Sequence, residues 1–100
     1  MPLYLDEIWL TWPNVERAKQ ALQQFRAMAT KDFPYPEGVT LRAGPWFSNE
    51  EAKIILVLDI QDHAKTFVPF ATALTNGLIA KRRLTPIVEW SAVDEVVQKL

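Results

Sequence analysis

At 100 residues, with 49% apolar and 23% charged residues and a formal net charge of −1, the chain has room for one core and one domain, 1–100. That balance excludes a disordered chain, and it gives no general attraction to nucleic acid or to an anionic membrane. The lack of cysteine excludes disulfides and thiolate chemistry.

A reducing, cytoplasmic setting is therefore expected. The opening "MPLYLDEIWL" carries acids where an export signal carries bases, and no apolar run approaches the roughly 20 residues that span a bilayer. "LYLDEIWLTW" (Leu3 to Trp12) reads as a strand that stops at Pro13. Behind it, Asn14 is placed to cap a helix in which Val15, Ala18, Leu22, Phe25 and Ala29 recur at helical spacing. "TKDFPYPEG" is a loop, because Pro34 and Pro36 interrupt regular structure and Gly38 punctuates it. "VTLRAGPWF" is the second strand, with Gly44-Pro45 marking a bulge or an edge.

"SNEE" turns the chain into a third strand, "AKIILVLDI". Ile54, Leu56, Leu58 and Ile60 occupy one face and Ile55 and Val57 the other, so this strand requires cover on both sides. Asp62 is expected to cap a second helix, with Ala64, Phe67, Val68, Ala71, Leu74 and Leu78 as its buried stripe. Pro69 should kink that helix or delay its start, and Asn76-Gly77 should end it. "RRLTPIVEW" is the fourth strand, at an edge because of Pro86, and "AKRR" lies mainly in the loop before it. Ser91 with Asp94 suggests a capping box opening a short C-terminal helix.

The order β-α-β-β-α-β plus a helix is the α+β, ferredoxin-like plan: four antiparallel strands with two helices on one face. Two helices cover only one face, yet the first and third strands are apolar on both. A homodimer with sheets packed face to face is the economical solution. The alternative is a monomer whose loop 30–38 and C-terminal helix close over the open face.

The chain resembles the dimeric α/β-barrel superfamily, which includes antibiotic-biosynthesis monooxygenases and muconolactone isomerases. Within it, the chain is most similar to short bacterial proteins of unknown function. The likeness rests on "AGPWFSNEEAK" with Trp46, the join "LDIQDHAKTFVPFATAL", and "TPIVEW". It implies a dimeric barrel with a cavity between sheet and helices. Relatives that bind haem use a histidine on the second helix, which points to His63. Directly after Asp62, however, His63 reads as a helix-start residue, and the helix's positive end disfavours imidazolium.

No phosphate loop, metal-binding Cys/His set, Ser-His-Asp order or HExxH motif is present, so neither a metal nor a tightly bound cofactor is expected. Charged residues inside strands are the informative ones, since each costs free energy if buried unpaired. Glu7 and Arg42 are expected to pair or to line a pocket. Arg42 would anchor a ligand oxygen, Trp46, Tyr35 and Trp9 would supply aromatic walls, and Glu7 or His63 would transfer protons. Two functions follow: binding or transforming a small hydrophobic or aromatic molecule, or a non-catalytic binding or scaffold dimer with a filled core.

Overall fold

The computed structural model describes residues 2–11, 15–30, 33–48 and 50–100. The elements run β1 (Leu3–Leu10), α1 (Val15–Met28), β2 (Val39–Phe47), β3 (Lys53–Ile60), a 3-10 turn (His63–Thr66), α2 (Phe67–Thr75), β4 (Ile79–Ile87) and α3 (Trp90–Gln98). One four-stranded sheet has the order β2-β3-β1-β4, with every neighbouring pair antiparallel. This is the arrangement that the split βαβ plan requires. No helix among the described residues is long and apolar enough to cross a membrane.

Alternation along β1 and β3 sets the two faces of the sheet. Ile8 and Leu10 of β1 join Ile54, Leu56, Leu58 and Ile60 of β3 in the core. Leu56 and Ile60 are fully buried, and each contributes roughly 2 kcal/mol through its burial. Ala21 is buried beside them, with Phe25, Met28, Phe70 and Ala73 packed against the same cluster. Helices α1 and α2 thus cover one face. The opposite face carries Leu3, Leu5, Glu7 and Trp9 of β1 beside Lys53, Ile55, Val57 and Asp59 of β3.

Both helical stripes differ from the expected ones. In α1, Val15 is 73% and Leu22 47% exposed, and the buried side runs through Ala18, Ala21, Phe25 and Met28. The Asn14 cap and Trp12 lie outside the described residues. In α2, Phe67, Val68 and Leu74 are exposed, while Phe70 and Ala73 face the core. Pro69 explains the second shift. The chain makes a 3-10 turn from His63 to Thr66 before the α-helix begins at Phe67, and the delay rotates the inward face. Asp62 caps the turn as expected, accepting from the Ala64 N–H at 3.1 Å, and Gly77 follows α2 at φ 72°.

β4 begins at Ile79, so Lys81, Arg82 and Arg83 lie within the strand and not in a loop before it. β2 is the other edge strand, and its register with β3 shifts twice, between Leu41 and Ala43 and between Ala43 and Trp46. At Gly44, φ is 91° and an added Cβ would stand 2.9 Å from the Ile55 carbonyl oxygen, so only glycine fits. Pro86 sits in β4 opposite Tyr4.

Helix α3 starts at Trp90 with Glu89 at its N-cap and no side-chain cap, so Ser91 lies inside the helix and forms no capping box. It contains no buried residue. Neither closure of a monomer over the open face is realised. Phe33, Tyr35 and Pro36 of the loop line the helix side, and α3 stands exposed.

Candidate functional site

A cavity of about 140 Å³ lies between the sheet and the two helices. Its walls are apolar: Phe25 and Met28 from α1, Phe70 and Ala73 from α2, Ile8 and Leu58 from the sheet. Phe33 and Tyr35 enter from the loop after α1, their rings edge to face with centroids 4.7 Å apart. The Tyr35 hydroxyl donates to the Met28 carbonyl at 2.9 Å, which pins the loop to the end of α1. Burial raises the Tyr35 pKa above 10.0, and the nearby Asp6 charge adds to the effect.

The polar end of the cavity is a buried ion pair. Asp6 has the same strand parity as Ile8 and Leu10 and is only 2% exposed. Arg82, two residues before inward-facing Leu84 on β4, answers it with both arms of its guanidinium. Nε donates to Oδ1 and Nη2 to Oδ2, each at 2.8 Å. The remaining nitrogen, Nη1, donates to Thr66 Oγ1 at 2.9 Å, and that hydroxyl donates to the His63 carbonyl at 2.7 Å. The carboxylate, the guanidinium and the 3-10 turn thereby form one chain of hydrogen bonds from β1 to the start of α2. Two guanidinium protons remain without a partner in this chain of hydrogen bonds, and Arg82 borders the cavity.

Of the residues expected at the site, only Tyr35 lines this cavity. Arg42 is on the opposite face of the sheet, 3.9 Å from Asp59, in a groove of about 340 Å³ bounded by Leu3, Ala43, Val57, Ile87, Val88 and Glu89. The expected pairing of Glu7 with Arg42 is replaced by one with Lys53, at 2.7 Å. Cross-strand register is the reason: Glu7 lies opposite Ile55 with Lys53 diagonal to it, whereas Arg42 is on β2, separated from β1 by β3 and level with Val57 and Leu58. Hydrogen bonding to Glu7 raises the Lys53 pKa, burial opposes the shift, and Glu51 adds to it, its own pKa lowered by the same lysine. Trp9 stands on the same open face with Lys53, Lys81 and Arg83 around its ring at 4.9, 4.4 and 5.4 Å. Trp46 is also on that face, opposite Ile55 and 53% exposed. His63 is exposed at the turn, its ring 5.9 Å from that of Tyr4.

Sequence reasoning gave no site role to Asp6, Arg82, Thr66, Met28 or Phe70, and it placed Phe25 only in the apolar stripe of the first helix. A signal existed for two of them. Asp6 interrupts the parity that carries Ile8 and Leu10, and Arg82 shares the parity of Leu84. Among the described residues no group of three or more His, Asp or Glu side chains is arranged to hold a metal ion. Searches against protein-family models, curated proteins and solved structures found no match to the chain.

Proposed function

We propose that the protein is a homodimer that binds a small, mainly apolar ring molecule in the cavity between sheet and helices. The observation that carries this reading is the Asp6–Arg82–Thr66 network at one end of an otherwise apolar cavity. A buried ion pair is costly to desolvate, and a core built for stability alone is served as well by apolar residues. Here it sets spare donor protons against aromatic walls, which suits a phenol, an aryl aldehyde or a quinone-like carbonyl. The size agrees: a dry, apolar cavity of roughly 150 Å³ accommodates benzene. The dimer is supported by the half-buried Leu5, Ile55 and Val57 on the face that the helices leave open.

The test is a thermal-shift and calorimetric screen of phenol, benzaldehyde and toluene, repeated on Ala73→Phe, which fills the cavity. At ten times its dissociation constant a ligand stabilises by about 1.4 kcal/mol, and this raises Tm by roughly 5 °C or more in a domain of this size. The oxygen-bearing rings should shift Tm more than toluene, and Ala73→Phe should abolish all three shifts. Shifts that survive Ala73→Phe would move the ligand elsewhere.

A second reading is favoured by the volume itself. At about 140 Å³ the cavity is smaller than the roughly 300 Å³ at which ordinary ligand pockets begin. A scaffold dimer with a nearly filled core would bind none of the three compounds.

A further inference from the structure

Helix α3 has an exposed apolar side. Trp90 is 69%, Val96 61% and Val97 47% exposed. The radius of gyration, 15.3 Å, exceeds the roughly 13 Å of a compact domain of this length. The longest dimension is 54 Å, well beyond the roughly 30 Å that a nine-residue strand spans. The molecule is elongated, and α3 contains no buried residue.

Helix α3 carries Asp94 and Glu95 with Glu89 at its N-cap, and the open face carries Lys81 and Arg83 beside the paired charges Lys53–Glu7 and Arg42–Asp59. Among the described residues, Glu89 and Glu95 form no salt bridge, and Asp94 accepts only from Gln98 Nε2, at 2.9 Å. On the sheet, Lys53 is held by Glu7 and Glu51, whereas among the described residues Lys81 and Arg83 form no salt bridge; both stand beside the Trp9 ring, and Lys81 is near enough to Glu51 to help lower its pKa. These cations lie at the Trp9 end of the face, and α3 springs from the other end, where Ile87 lies opposite Leu3.

We propose that α3 is exchanged between two copies of this chain. It lies over the open face of the second copy, with its apolar side on the sheet and Glu89 and Asp94, at the borders of that side, near Lys81 and Arg83 of the partner subunit. The charge pattern selects the orientation. A two-fold axis perpendicular to the strands sets the root of one α3 over the cation end of the other sheet, whereas an axis parallel to the strands stacks like ends. Each copy then gives one helix and receives one, so the assembly closes at two. The inference rests on the homodimer proposed above and adds the element exchanged and the sense of the stacking.

The experiment uses two full-length double variants, Glu89→Lys/Asp94→Lys and Lys81→Glu/Arg83→Glu, in sedimentation equilibrium at low salt. Each alone should raise the dimer dissociation constant at least tenfold. An equimolar mixture should return it close to the wild-type value, because opposite charges then meet in both exchanged contacts. Since the chain contains no cysteine, a second measurement is available. An oxidised mixture of Asp94→Cys and Arg83→Cys chains should give mainly the mixed disulfide. If wild type is dimeric but neither reversal weakens it, or the mixture stays as weak as its parents and mixed disulfide is absent, helix exchange is wrong and the face-to-face dimer stands. A wild-type chain that is monomeric at tens of micromolar refutes the dimer and, with it, the exchange.

Discussion

Tyr35 bridges structure and cavity. Its hydroxyl donates to a backbone carbonyl at the end of α1 while its ring forms part of the wall. Ionisation would remove that donor and place a phenolate in an apolar setting near the Asp6 carboxylate, so the neutral form is favoured and the pKa raised. A group with a raised folded-state pKa contributes stability that is complete below its unfolded value and lost as pH rises through the folded value. The chain has two tyrosines. In Tyr4→Phe, phenolate absorbance should therefore report Tyr35 alone, with a midpoint above 10.0, and stability should fall across the same interval. A midpoint at or below 10.0 would contradict the burial. His63 is the contrasting case. Only its carbonyl is used in the network, by Thr66, and any residue supplies a carbonyl. His63→Ala should change the urea-unfolding free energy by less than about 1 kcal/mol; a loss of several would show that the imidazole is structural.

Four elements meet through one guanidinium, since Arg82 joins β4, β1 and the turn that opens α2 and borders a cavity whose far wall is α1. Arg82→Met would leave Asp6 buried and unpaired and should cost about 3–5 kcal/mol. Asp6→Leu/Arg82→Met removes both charges and should recover most of that loss, to within about 1 kcal/mol of wild type or above it. Urea denaturation of both variants checks this, and a double variant as unstable as the single one would show that the network supplies more than mutual compensation. The chemical order of the elements was legible, because Pro, Gly and Asn punctuate the chain and "KIILVLDI" is apolar on both parities. Their rotation about their own axes was not. Pro69 delays α2, a 3-10 turn intervenes, and the inward residues become Phe70 and Ala73. Pairings across strands were hidden for a similar reason. That Glu7 meets Lys53 follows from register, which a single sequence does not state.

At the scale of the molecule, a two-layer body leaves one sheet face and one helix uncovered by the described helices and strands, and the sequence shows the apolar residues of both without showing what meets them. The face-to-face dimer can be checked by its mass. Sedimentation equilibrium at micromolar concentration should give twice 11.5 kDa, with affinity falling as salt screens the charged end of the interface. A salt-independent dimer would point to an interface made by apolar groups alone. The outer strands carry a further consequence. β2 and β4 border the sheet, β2 with two register shifts and Pro45, β4 with Pro86. Prolines have no N–H to offer, and shifted register breaks the ladder that an incoming strand would have to follow. Recruitment of further molecules strand by strand, the route to fibrils, is obstructed on both sides. Concentrated, partly destabilised protein should accordingly resist amyloid growth, with thioflavin fluorescence staying flat, and neither border of the sheet is free to start a filament.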